Sequence, residues 1–319
     1  MIKLWGDTLM FGYYLKRIFS AIVTLFIIAT LTFFMMRAIP GGPFTREKAL
    51  PDQIIAQLNA KYNLDDPVIV QYLNYMKGIA TFNFGPSFRE LGLTVNDLIR
   101  QGLPGSMKVG IVAVLMILVF GIPMGIISAL KQNKPIDYTV MVLATIGVTV
   151  PSFVVATLYI YLISSRVSWI PITGLSNPIA FIGPAIALSG YSLSYVARLT
   201  RSSMLEVLRQ DYIRTARANG LSETRVIGKH ALKNALIPVV TYVGPMIAAI
   251  LTGSFVVERI FAINGIGRYF VESVSNRDYT VIIGMTVFYA GLYIFMVLLV
   301  DIAYSFIDPR IKLGKRTGD

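Results

Sequence analysis

Residues 211–238 read DYIRTARANGLSETRVIGKHALKNALIP, a basic stretch set between long apolar blocks. Within the wider segment 198–234, two short helical patterns meet at Asn219-Gly220-Leu221. Gly220 suits the left-handed position just past a helix end. Ser222 can cap the helix that follows, and Glu223 then sits at its positive N-terminal end. The layout predicts a helix–turn–helix hairpin whose glycine turn lets another protein's backbone approach closely. The same stretch also reads as an amphipathic basic loop lying on anionic headgroups, and the residues alone leave both readings open.

The sequence on either side says what carries this hairpin. The chain has 319 residues, of which 55% are hydrophobic and only 14% charged. Ordinary soluble domains average about 25% charged residues. Runs of about 18 or more apolar residues read as membrane-spanning helices. Six are predicted, at 18–36, 107–130, 140–164, 179–197, 236–257 and 281–306. The net charge of +12 raises the question of nucleic acid. Lys and Arg gather in loops between the spans, however, which reports orientation and anionic headgroups instead. With no cysteine in the chain, disulfides, thiol catalysis and thiolate metal sites are excluded.

Orientation follows from the basic residues near span ends. With the N-terminus inside, the inner segments carry Lys3, Lys16, Arg17, Lys131, Lys134, Arg198, Arg201, Arg209, Arg214, Arg217, Arg225, Lys229 and Lys233. The tail adds Arg310, Lys312, Lys315 and Arg316, whereas the short outer loop after the third span has only Arg166. Both termini are therefore expected in the cytoplasm. The first span, preceded by Lys16 and Arg17, is expected to be an uncleaved anchor, because Arg37-Ala38-Ile39-Pro40 makes a poor cleavage site. The long outer segment 38–105 is nearly neutral and too patterned for a plain connector. Asp52 is expected to cap one helix and Asp66, followed by Pro67, another. This small subdomain reads equally as a lid on the span ends and as a docking surface. Pro123, Pro151, Pro184 and Pro245 fall within spans, as packing kinks or as hinges.

Arg214-Thr215-Ala216-Arg217-Ala218-Asn219-Gly220-Leu221 and His230-Ala231-Leu232-Lys233-Asn234-Ala235-Leu236-Ile237-Pro238 resemble the cytoplasmic coupling loop of bacterial ABC importer permeases, in the form seen in the dipeptide/oligopeptide/nickel branch. The general pattern has Glu-Ala-Ala where Arg214-Thr215-Ala216 stands. Phe82-Asn83-Phe84-Gly85-Pro86-Ser87, Trp169-Ile170-Pro171-Ile172-Thr173-Gly174, Glu258-Arg259-Ile260-Phe261 with Gly265-Ile266-Gly267, and Asp308-Pro309-Arg310-Ile311 are similar to further elements of that branch. Asn264 replaces the usual Pro before Gly265. The large outer segment resembles the "B" partner of the two permeases.

The resemblance implies an all-α integral membrane protein with the type I ABC importer transmembrane fold. It implies six spans, a cytoplasmic coupling helix and a small helical extracytoplasmic subdomain. The implied layout is 1–37 for the N-terminus and first span, 38–105 for the subdomain, 95–306 for the permease core with its coupling loop at 198–235, and 307–319 for the tail. It implies a second homologous permease in a heterodimer, two ATP-binding subunits and an extracytoplasmic solute-binding protein, all in a bacterial cytoplasmic membrane, with peptide as substrate. The chain has no G-x-x-x-x-G-K-S/T phosphate loop, so ATP and Mg are expected on the partner subunits, with no cofactor and no catalytic residue here. Coupling to the ATPase is expected from Arg214, Thr215, Ala216, Arg217, Gly220, Leu221, Arg225 and His230. The translocation path is expected to include Thr149, Ser152, Tyr159, Ser189, Tyr191, Ser192, Tyr195, Tyr242 and Thr252. Phe82, Phe84, Glu258, Phe261, Gly265 and Gly267 are expected at the binding-protein surface. The single histidine makes a metal site improbable, and Asp301, near the cytoplasmic end of its span, is expected to pair with a basic neighbour. An ion-driven secondary transporter predicts mid-bilayer ionisable residues and internal repeats, neither of which stands out. A non-transporting membrane scaffold would not require the hairpin.

Overall fold

Prolines set many of the element boundaries. The computed structural model describes residues 2–40, 42–44, 51–90 and 92–307, with side chains described for these outside 2–14, 52 and 301–307. The elements among them are helices, with one isolated bridge between Pro86 and Thr94. In chain order they are α1 (Ile2–Ala38), α2 (Asp52–Lys61), α3 (Val68–Ala80), α4 (Val95–Leu130), α5 (Pro135–Thr149), α6 (Ser152–Ser164) and α7 (Pro178–Leu208). Then come α8 (Asp211–Ala218), α9 (Glu223–Ala235), α10 (Ile237–Leu251), α11 (Phe255–Ile260), α12 (Ile266–Asn276) and α13 (Tyr279–Ile307).

Among the described residues four helices are long and apolar enough to cross a membrane, in α1, α4, α7 and α13, and the number rises to six if each of two bent pairs is one span. The expected span 140–164 is one such pair: α5 and α6 meet at 105°. Val150 is extended there (φ −84°, ψ 120°), the conformation favoured before a proline, and Pro151 starts the next helix. Each half is only about 20 Å long, short of the roughly 30 Å hydrocarbon core. The second pair, α9 and α10, bends by 52° at Leu236, where Pro238 enters the first turn of α10. Pro123 is absorbed without a bend of this kind. Its ring crowds the carbonyl four residues back, and α4 widens to a π turn at Ile117–Gly121.

The chain divides into two compact units, one from Met1–Gly102 with Arg268–Asp319 and the other from Leu103–Gly267. In the first, α1 packs on α13, and Phe33, Met36, Tyr279, Ile282 and Ile283 form a core that Tyr72, Tyr75 and Phe88 of the following segment join. Thr30 Oγ1 and Tyr72 Oη lie 2.8 Å apart, which fixes α3 along α1. Within this unit α3 thus packs along the side of α1. Both caps are displaced by one residue, to the position before Asp52 in the first helix and to the position after Asp66 in the second. Pro51 and Pro67 are themselves the N-caps of α2 and α3, without side-chain bonds, and Gln71 holds the turn between them by donating to the carbonyls of Leu64 and Asp66. In the second unit α7 is the centre, touched by α4, α5, α6, α9, α10 and α11. Its interior holds Ala113, Val114 and Ile117 of α4, Ala185 and Val196 of α7, and Val239, Met246 and Ile250 of α10.

Candidate functional site

The hairpin forms as α8 and α9. Ile213 and Ala216, three residues apart, put one face of α8 inward, where they join Ala129, Met204, Val226, Ala231 and Ala235 in an apolar cluster. Burying Ile213 fully is worth about 1.5–3 kcal/mol. The opposite face leaves Arg214, Thr215 and Arg217 exposed. The turn is closed by two bonds of the Schellman type: Gly220 N–H to the Arg217 carbonyl (2.9 Å) and Leu221 N–H to the Ala216 carbonyl (3.4 Å). Gly220 takes φ +77°, as the turn requires, and nothing occupies the 4 Å around the place of a Cβ.

Further contacts stiffen the hairpin. Arg217 Nε donates to Glu223 at 2.7 Å, and this bond holds the Arg217 guanidinium above its ordinary pKa. Asn234 Nδ2 donates to Tyr212 Oη at 2.8 Å. Ser222 stands at the N-cap of α9 as expected, without a side-chain cap bond. Arg214 approaches Asp211 at 3.5 Å with both side chains largely in solvent, Arg225 is exposed, and His230 is half-buried. Among the described residues no three His, Cys, Asp or Glu side chains converge on a metal-sized site.

Next to this cluster lies a pair that the loop-by-loop count of charges misses. Arg201 of α7 donates through two nitrogens, both at 2.7 Å, to Asp137 in the first turn of α5. Ser128 of α4 and the Asn133 N–H donate to the same carboxylate, which is 2% exposed. One buried acid thus ties three helices together. The signal in the sequence was a lone Asp opening an apolar block, with an arginine among the inner basic residues.

Within the segment from Glu258 to Gly267 the four residues expected at the surface are buried, while Arg259, Ala262 and Asn264 are exposed. Glu258 and Phe261 are each 2% exposed, and Gly265 and Gly267 are buried. The Gly267 N–H donates to Glu258 Oε2 at 2.8 Å, and Ser106 Oγ accepts from the Ile266 N–H at 3.0 Å. A Cβ on Gly253, Gly265 or Gly267 would fall inside contact distance of this carboxylate, so the glycines make its room. Asn264, where the resembled pattern has proline, centres a three-residue turn closed by Gly265 N–H to the Ile263 carbonyl. Gly174 N–H donates to the Phe261 carbonyl at 2.7 Å, which joins the Trp169–Gly174 stretch to this loop. In the other unit, Phe82 is 78% exposed, but Phe84 is buried and Ser87 Oγ donates to the buried Asp278 at 2.5 Å. Of the six docking candidates only Phe82 presents its side chain outward. The other five are buried within their own units.

The path candidates separate in the same way. Tyr191 and Tyr195, one turn apart on α7, are exposed, and the Tyr195 and Tyr242 rings meet at 4.3 Å. Ser189, Ser192 and Tyr159 are buried, Tyr159 against Phe261. Thr149 and Thr252 bond to carbonyls of their own helices, and Ser152 is half-buried at the start of α6. The side chain of Asp301 and the stretch Asp308–Ile311 lie outside the described residues.

Comparison with known proteins follows the same lines. Residues 121–313 match the profile of the binding-protein-dependent transport system inner membrane component, and residues 10–92 match that of its N-terminal region. The chain is 48% identical over 304 residues to the dipeptide transport system permease protein DppB of Bacillus subtilis, covering 95% of this chain and 99% of that one. It is 46% identical over 305 residues to the oligopeptide transport system permease protein OppB of Salmonella typhimurium, covering 95% of this chain and all of the other. Among solved structures it resembles a chain of the methionine ABC transporter MetNI in inward-facing conformations. That match has a TM-score of 0.53 and 19% identity, and covers 66% of this chain and 94% of that one, which supports the fold.

Proposed function

This chain belongs to the family of binding-protein-dependent transport system inner membrane components, and we propose that it is the membrane-spanning permease subunit of an ATP-driven importer of peptides. The observation that carries this reading is the near end-to-end identity of 48% and 46% to dipeptide and oligopeptide permeases. The chain is a multi-pass protein of the cytoplasmic membrane. Neither rival, an ion-driven transporter or a passive scaffold, draws support from these relatives.

In this proposal the exposed face of α8, with Arg214, Thr215, Arg217, the Gly220 turn and Arg225, seats in a groove of a partner ATPase that binds ATP and Mg. Ala216 and Leu221 fasten the hairpin from beneath, and His230 seats α9. Closure of two such ATPases pushes a stiff hairpin whose apolar side is locked to α4, α7 and α9, so the push reaches the spans as rigid-body motion. A second homologous permease completes the path, with Tyr191, Tyr195 and Tyr242 offering neutral hydrogen bonding and aromatic faces to a peptide. Ser189 and Ser192 lie on α7 with the first two tyrosines and Thr252 ends α10, while Thr149 closes α5 and Ser152 and Tyr159 lie on α6. An extracytoplasmic binding protein docks outside, touching Phe82 of the first unit, whose loop Phe84 anchors; in the second unit Glu258, Phe261, Gly265 and Gly267 order the loop offered to it.

The test is reconstitution in liposomes with a second permease, the ATPases and the binding protein. Peptide should stimulate ATP hydrolysis and accumulate inside. Uptake that persists without ATP but follows an imposed ion gradient would overturn the reading.

A further inference from the structure

The unit built from α1, the segment after it and α13 encloses a cavity of about 300 Å³. Two spans end at its wall: Met36 and Arg37 come from the last turn of α1, and Tyr279 and Ile283 from the first turns of α13. Its level is therefore that of a membrane–water boundary. Another wall is α3, through Gln71, Asn74, Tyr75 and Gly78, and away from the cavity this helix exposes Val68, Ile69, Val70 and Leu73. The bond between Tyr72 and Thr30 sets this helix beside α1 at a point eight residues, or about 12 Å, short of the helix end. An apolar helix surface held alongside a span belongs among lipids rather than in water.

The polar side of the cavity is one-signed. Arg37 and Lys61 line it, and no Asp or Glu does. Among the described residues neither cation has an ion-pair partner. Each instead faces an aromatic ring, Arg37 over Phe33 at 5.7 Å and Lys61 over Tyr62 at 5.4 Å. Tyr279, 7% exposed, also lines the cavity, and its hydroxyl has no hydrogen-bond partner among the described residues. Two cations and a spare phenol above an aromatic floor fit an anionic amphiphile: charge-assisted bonds to the anion, apolar contact to what it is attached to.

We propose that this cavity is a binding site for the phosphate headgroup of an anionic phospholipid, held by Arg37 and Lys61 and drawn from the leaflet around α3. The span ends in its wall favour a lipid over a free anion, because they set the cavity at the level of lipid headgroups.

The full chain, isolated with the subunits that accompany it, is placed in nanodiscs of equal phosphatidylglycerol and phosphatidylcholine. Lipid retained on release is then counted by native mass spectrometry. Phosphatidylglycerol should be retained in preference to phosphatidylcholine. Arg37→Gln and Lys61→Gln, both at exposed positions and safe for folding, should each reduce that retention about tenfold, the worth of one charge-assisted contact. Tyr279→Phe, which keeps the ring in the core, should weaken it by less. Equal retention of the two lipids, or retention unchanged in the double variant, would overturn the proposal. Displacement of the bound lipid by millimolar inorganic phosphate would also overturn it, in favour of a free-anion site.

Discussion

Asp137 shows how much a single carboxylate can organise. Its four donors come from Ser128, Asn133 and Arg201, so removing it strands a guanidinium among apolar helices. Breaking a buried pair from one side costs about 3–5 kcal/mol. Asp137→Ala should therefore lower the thermal midpoint of the purified complex by several degrees. Adding Arg201→Met should recover part of the loss, because no charge is then left unpaired. A double variant less stable than either single one would assign the pair no mutual role. Gly220 poses a different question. An alanine there meets no neighbour but must adopt φ +77°, at a cost of about 1 kcal/mol. Gly220→Ala should thus lose some stability and keep peptide-driven ATPase coupled to uptake. Gly220→Trp adds the same strain and fills the open space, so it should hydrolyse ATP without transport while the complex still assembles. Equal coupling in the two variants would remove the docking role from the turn.

At the scale of elements, the hairpin stands or falls on its inner face. Ile213 is fully buried, and Ile213→Asp would set a charge within the cluster of Met204, Val226 and Ala231. The expected result is faster amide hydrogen exchange over 211–235, little change in α4 and α7, and loss of ATPase from the isolated complex. Protection unchanged across 211–235 would show that the cluster does not hold α8. This element was legible in the sequence because its signals are local. A left-handed glycine and a cap position lie within one short stretch, and the structure differs in giving Glu223 to Arg217 and in leaving Ser222 without a side-chain cap bond. The long apolar blocks were legible for the same reason. What stayed hidden depends on contacts far apart in the chain. Arg201 read as one more inner-loop cation until Asp137 lay beside it. Glu258 and Gly265 were expected at the surface from the resemblance of their loop, whereas here three glycines bring the backbone up to a buried carboxylate. The break at Pro151 was visible, but not its 105° angle, which follows from the extended Val150 and from α7 packing against both halves.

For the whole molecule, the open quantity is the number of crossings, and the side on which the hairpin lies decides it. If α1, α4, α7 and α13 alone cross, α7 leads outward and Arg214 lies outside, on the same side as Phe82. If the α5–α6 and α9–α10 pairs each cross as well, Arg214 lies inside, and Trp169 between α6 and α7 lies outside. Both termini share a side in either case, so their location does not discriminate. The distribution of Arg and Lys favours six crossings: four would put Arg214, Arg217, Arg225, Lys229 and Lys233 outside, against the bias that sets orientation. The chain has no cysteine, so single cysteines can be introduced without background. Trp169, Phe82 and the Arg214 side chain are all well exposed. With a membrane-impermeant maleimide on intact cells, Phe82→Cys and Trp169→Cys should label, and Arg214→Cys should label only after the membrane is opened. Labelling of Arg214→Cys from outside, with Trp169→Cys protected, would leave four crossings and remove the hairpin from the reach of any cytoplasmic ATPase. Energy coupling through α8 therefore requires that both bent pairs traverse the bilayer despite halves too short to cross it alone.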